Sequence, residues 1–266
     1  MLFLHLTIRS IQNQLWLFFA WVASLVILAI SVLALWKPLN NSGALNNLTV
    51  GIPEEVAKPM GLVDMSSPGG YLNGNLFAVI LPLLISFVGI STISAQFSEA
   101  ERLGRFELAF SLPIDRKTIA LSRLLGILSL LFACSMSVYV TIVVGVLTLD
   151  MDVSIGNLTS ACLGLFLLGV LHASLGYFAY GVRGEKGAVL GASYMLLIVG
   201  YFLYSIVPVV PKFGDVKFSS PWYWALGEDA ILTGINLAGV GALILLSFTL
   251  IGVGSWALTR RDISTP

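Results

Sequence analysis

Long uncharged stretches, separated by short clusters of acids and bases, give the chain its first division. No Asp, Glu, Lys or Arg occurs between Arg9 and Lys37, Asp64 and Glu99, Arg123 and Asp150, Asp152 and Arg183, Lys186 and Lys212, or Asp229 and Arg260. Each stretch holds 25 to 34 residues. A charge at the centre of a helix in hydrocarbon costs roughly 2.5–3.5 kcal/mol on insertion scales, and about 20 apolar residues cross the bilayer core. The pattern therefore predicts six membrane-spanning helices at about 15–36, 73–95, 118–147, 156–180, 188–210 and 236–257. The stretches do not alternate apolar with polar residues, which argues against a barrel and leaves helix as the structure that satisfies the backbone in lipid. The expected fold is all-α, a single polytopic transmembrane domain over residues 1–266.

Composition strengthens this reading. Apolar residues make up 57% of the chain and charged residues 11%, against roughly 25% charged in a soluble protein. Fourteen Lys and Arg balance fourteen Asp and Glu, so no basic field invites nucleic acid. With six spans both termini share a side. Placing them in the cytoplasm puts Arg9, Arg102, Arg105, Arg116, Lys117, Arg123, Arg183, Lys186, Arg260 and Arg261 inside, and only Lys37, Lys58, Lys212 and Lys217 outside. Ten against four follows the positive-inside rule; the acids run the other way, six inside and eight outside. The first stretch exceeds the roughly 7–15-residue core of a signal peptide and lacks a small-residue cleavage site, so it is read as an anchor. Ahead of it, Leu2, Phe3, Leu6 and Ile8 interleave with Arg9, Gln12 and Asn13, which fits either a short interfacial helix or a frayed start to the first span. Trp16 and Trp36, 20 residues apart, are placed in the two interfacial belts.

Residues 37–72 carry Pro38, Pro53, Pro59, Pro68 and Gly69-Gly70, the composition of an external loop with little regular structure. Ser220-Pro221 is a helix start, and the Trp222-Tyr223-Trp224 run after it suits the outer headgroup level, either as a short helix dipping into the leaflet or as an ordinary aromatic belt. Pro82 is expected to kink the second span. Gly187 and Gly191 form a GxxxG, and Gly164, Gly169 and Gly176 thin the fourth span, both favouring close helix packing. No internal repeat is visible, which disfavours carriers built from inverted halves.

Catalytic chemistry is sparse. The spans hold His172, Cys134 and Cys162 but no acid or base well inside, so an ion-coupled carrier is hard to build. His172 reads as a hydrogen-bonded packing residue, since no HExxH or second inward histidine completes a zinc site. The two cysteines fall at different depths and are expected to be free thiols. Glu54-Glu55 lies in the Pro-rich loop with no companion histidine, and Ser193 has no base placed to activate it. No G-x-x-x-x-G-K-[ST] occurs, so the chain lacks a phosphate-binding loop of its own.

One loop has a pattern. Between the second and third spans, Ser98 followed by Glu101 reads as a capping box and Pro113 as a stop, which predicts a helix over 99–111. On that helix Glu99 pairs with Arg102 and Glu101 with Arg105, while Leu103, Phe106 and Phe110 share a side, making an amphipathic rod at the membrane surface. The bland reading is a solvated loop lying on headgroups. However, Glu-x-Glu-Arg-x-Gly-x-x-Glu, five residues, then Pro-x-x-Arg resembles the cytoplasmic motif of the type-2, exporter-type ATP-binding-cassette permeases. Glu99, Glu101, Arg102, Gly104, Glu107, Pro113 and Arg116 match it position by position; where that family carries a small hydroxyl residue after the glycine, this chain has Arg105.

The resemblance implies a permease subunit in the plasma (inner) membrane, paired with a second copy or a sister permease and with two cytoplasmic ATPase subunits. ATP and Mg would then sit on the ATPase, with no cofactor and no metal on this chain. It implies a coupling helix whose contact residues are Glu99, Glu101, Arg102, Gly104, Arg105, Phe106, Glu107, Phe110, Pro113 and Arg116, with Glu101, Arg102 and Glu107 facing charged groove residues of the partner. Weakly polar spans tolerate a lipid, a hydrophobic drug or an amphipathic peptide as cargo. The alternative from another class is an uncoupled integral membrane protein, structural or immunity-type, acting by protein contact; an intramembrane enzyme is the third reading.

Overall fold

The computed structural model describes residues 2–12, 14–47, 57, 62, 64–104, 114–206 and 209–261, and among them there are helices and turns but no strand. Among the described residues, six helical segments are long and apolar enough to cross a membrane: Leu15–Asn41, Pro68–Arg102, Arg116–Leu149, Ile155–Arg183, Lys186–Ile206 and Leu237–Arg260. The chain is an all-α, multi-pass membrane protein. The regular helices used below are α1 (Leu2–Gln12), α2 (Leu15–Asn41), α3 (Ile80–Gln96), α4 (Ser98–Arg102), α5 (Arg116–Leu149), α6 (Ile155–Arg183), α7 (Lys186–Tyr201), α8 (Pro221–Leu226) and α9 (Leu237–Arg260).

Local chemistry sets the ends. Asp150 closes α5 in the left-handed region, at φ 53°, a conformation that Asp tolerates better than most residues. Ser154 starts α6 by accepting a hydrogen bond from the Asn157 amide, and Gly184, at φ +74°, ends it. Only Gly184 and Glu185 separate α6 from α7. The first span runs beyond its predicted end at 36, through Pro38 to Asn41.

α6 is the centre. It packs along α9, α3, α7, α5 and α8 and is the most enclosed span, while α2, α9 and α7 leave most of their surface uncovered. Its glycines let neighbours approach. A Cβ on Gly169 would meet Ile85 at 2.7 Å, on Gly176 Ile93 at 2.5 Å, and on Gly181 the Gly254 carbonyl oxygen at 2.3 Å. By contrast, a Cβ on Gly187 or Gly191 would meet nothing within 4 Å, so the predicted close packing through that GxxxG is not made among the described residues. α1 is a distinct helix lying on the start of α5, with Gly126 against Ser10 and Ile11, which favours the short-helix reading over a frayed start.

The aromatic and proline expectations resolve one by one. Trp16 is 90% exposed, as a belt residue should be, but Trp36 is buried with its ring 5.1 Å from that of Tyr71. Pro82 lies in the first turn of α3, and the irregularity falls ahead of it: a π turn over Asn73–Phe77, then Val79 at φ −137°. Proline lacks the N–H that would bond the Ala78 carbonyl and its ring crowds that turn, so regular helix resumes only around the proline. Trp222 is fully buried against Tyr201 and Tyr204, and it lies in a short helix, the first of the two readings of that run. Ser220 caps α8 through the Trp222 amide, and the Ala225 carbonyl would lie 2.0 Å from a Cβ on Gly164. Gly164 is nine residues into α6, roughly 13 Å along the helix, so α8 dips well inside the bundle.

Candidate functional site

The segment that joins the second span to the third bends at Phe97 (φ −112°, ψ −75°) and continues as α4. The Phe97 amide donates to the Ile93 carbonyl and the Glu101 amide to the Phe97 carbonyl, so α4 prolongs the second span around a corner. This is why the predicted capping box is not formed: Ser98 lies inside a continuing helix, and its hydroxyl is buried without a hydrogen-bond partner among the described residues. α4 then stops at Arg102. The Gly104 amide donates to the Glu101 carbonyl, with Gly104 at φ +69°, the left-handed closure that favours glycine. The expected unbroken rod over 99–111 is therefore interrupted at Leu103-Gly104. Arg105, Phe106, Glu107, Phe110 and Pro113 lie outside the described residues, and with them the Glu101–Arg105 pair and the apolar stripe. Arg116 is the first residue of α5.

Two acids of the motif, Glu99 and Glu101, hold the chain to itself. Glu99 pairs with Arg102 at 2.7 Å, as the spacing predicts, and also with Lys186 at the start of α7, at 3.0 Å. Glu101 is not a surface residue: it is 9% exposed. One of its oxygens, Oε2, accepts from the Tyr180 hydroxyl at 2.5 Å and from Arg261 Nη2 at 2.6 Å. The Arg261 guanidinium also lies over the Tyr180 ring, 4.8 Å from its centre. Gly184 makes room for it, since a Cβ there would fall 1.3 Å from Arg261 Nη1. The expectation that Glu101 pairs with a partner's groove is thereby corrected, because helix α4 is too short and too close to α6 to turn that carboxylate outward.

Neighbouring residues extend the same junction. Phe97 packs on Tyr177 and Tyr180, at 5.3 and 5.1 Å, and the Tyr177 hydroxyl meets Ser255 Oγ of α9 at 3.0 Å. The Gln96 carbonyl accepts from Arg123 Nη1 of α5 at 2.9 Å, and its side-chain Oε1 accepts from Ser10 Oγ of α1 at 2.9 Å. Residues 96–101 thus touch α1, α5, α6, α7 and the residue that ends α9. Among the described residues of this loop, a small edge faces outward: Arg102, with a side chain 67% exposed, Leu103, 50% exposed, and Gly104, with open space around it.

Elsewhere among the described residues the chemistry is quiet. His172 is fully buried, with Nδ1 2.8 Å from the Leu168 carbonyl, consistent with a packing role. The Ser193 hydroxyl donates to the His172 backbone carbonyl and not to its ring. Cys134 and Cys162 are buried free thiols. No protein-family model matches the sequence, and no curated protein matches it.

Proposed function

We propose that this chain is the transmembrane permease subunit of an ATP-driven exporter of the ATP-binding-cassette type, with no ATPase site of its own. The motif matched at Glu99, Glu101, Arg102, Gly104, Glu107, Pro113 and Arg116 motivates the reading. The observation that carries it is the junction at 96–101, where one short segment engages the bases of four other spans and of α1. A displacement delivered there by a cytoplasmic ATPase pair closing on ATP and Mg would pass to those helices as rigid-body motion. Arg102, Leu103 and Gly104 form the edge offered to the ATPase, and the partner permease is a second copy or a sister chain.

The test is to isolate the chain from its native membrane and identify what travels with it. A phosphate-loop ATPase is expected to co-purify, and Leu103→Asp to lower the amount retained about tenfold, the loss typical of one interface anchor, with the melting temperature of the isolated chain unchanged. Glu101→Lys is unsuited to this purpose, since it puts a second cation against Arg261. A chain that carries no ATPase acts by protein contact alone, and the proposal falls.

This reading places both termini in the cytoplasm and the protein in the plasma (inner) membrane. A membrane-impermeant maleimide is expected to label Asp152→Cys in intact cells and Lys117→Cys only after permeabilisation; both positions are exposed, and the native thiols are buried. The opposite result inverts the topology and removes the coupling role from residues 99–104.

A further inference from the structure

Resting on the permease reading, we infer that Tyr180 and Arg261 are positioning residues of the coupling junction, and that they carry movement from α4 to the fourth and sixth spans. The sequence motif contains neither residue, yet both bind the motif's Glu101. Tyr180 is fully buried and stands one turn before the end of α6; Arg261 is the residue that closes α9, its amide donating to the Ala257 carbonyl. Their convergence on a single carboxylate oxygen fixes three chain segments, 79 and 160 residues from Glu101 in sequence, at one point.

The surroundings make this point stiff. α6 and α9 touch backbone to backbone just beside it, with a Cβ on Gly254 placed 2.9 Å from the Phe178 Cα, and Tyr177 bonds Ser255. Phe97, at the bend itself, is wedged on the rings of Tyr177 and Tyr180. The fourth and sixth spans are therefore clasped to each other and to α4 by the same residues. On the third span, Arg123 of α5 holds the Gln96 carbonyl. Movement of α4 is transmitted to α6 and α9 together.

The experiment uses the intact complex of permease and ATPase in nanodiscs. Spin labels at Ala95, at the end of α3 just before the bend into α4, and at Thr259, both on exposed positions, report the distance between the base of the second span and α9, and the hydrolysis rate is measured with and without the permease. In the wild type the label distance is expected to stay the same when a non-hydrolysable ATP analogue is added. In Tyr180→Phe and Arg261→Lys the ATPase stays bound, the distance shifts on nucleotide addition, and permease-dependent stimulation falls about tenfold, the size of a typical coupling energy. The exchanged pair Glu101→Arg with Arg261→Glu regains most of the stimulation that either single change loses. A bound ATPase with unchanged stimulation and an unchanged distance in Tyr180→Phe and Arg261→Lys overturns the positioning role and leaves the permease reading standing. Failure of any ATPase to bind the wild type overturns both.

Discussion

Arg261→Ala is expected to be among the most damaging single changes in this chain, costing about 3–5 kcal/mol because it strips a buried carboxylate of its cation. The Arg261 side chain is 13% exposed and that of Glu101 9%, so water cannot replace the lost partner. Tyr180 remains, but a neutral hydroxyl does not balance the charge. Removing both charges together is expected to be far milder: Glu101→Gln with Arg261→Gln should recover most of the loss, as buried ion pairs replaced on both sides often do. The measurement is the temperature at which half of the detergent-solubilised protein leaves the monodisperse peak, compared across the wild type, the two single variants and the double. Singles no worse than the double would mean that the pair is not closed in the membrane.

The second large effect is expected at Gly181. An added Cβ would approach the Gly254 carbonyl oxygen to 2.3 Å and its carbonyl carbon to 3.0 Å. Both are main chain inside a helix, so neither can rotate away, and Gly181→Leu must push α9 off α6. Overpacking of this kind costs about 1–3 kcal/mol and sometimes more. Gly191→Leu is the matched control, since a Cβ there meets nothing within 4 Å and leucine is the better helix former. The same thermal assay should show a marked loss for the first and none for the second; equal losses would point to a partner on the Gly191 face.

These two predictions also mark where the sequence is transparent. Spans were readable because the cost of a buried charge writes itself as a gap in the distribution of Asp, Glu, Lys and Arg, and the observed helices begin and end at or near those gaps. Which glycines matter was only half readable. Gly164, Gly169 and Gly176 do serve close packing, but the GxxxG at Gly187 and Gly191 looks the same in sequence and turns outward, since spacing identifies a helix face and not what covers it. Trp36 read as a belt residue because tryptophan favours interfaces, yet it found an aromatic neighbour inside, Tyr71; for Trp222 the short-helix reading fits, with its ring against Tyr201.

The junction was legible in its acids and opaque in its partners. Glu99 and Arg102 are three apart and announce their pairing. Glu101 meets residues far away in the chain, and no periodicity connects them; the one clue is that Tyr177 and Tyr180 share a face near the end of the fourth span, while Arg261 follows the sixth. Gly104 also misled. In a run with apolar residues at 103, 106 and 110 it passes as a tolerated interior glycine, whereas its positive φ makes it the end of the helix.

The connection between α6 and α7 has one more implication. Arg183 and Lys186 are three peptide steps apart, so their Cα atoms can never be more than about 11 Å from each other. Whatever prises these two helices apart must do so at their far ends, like the arms of a pair of tongs whose rivet is Gly184-Glu185.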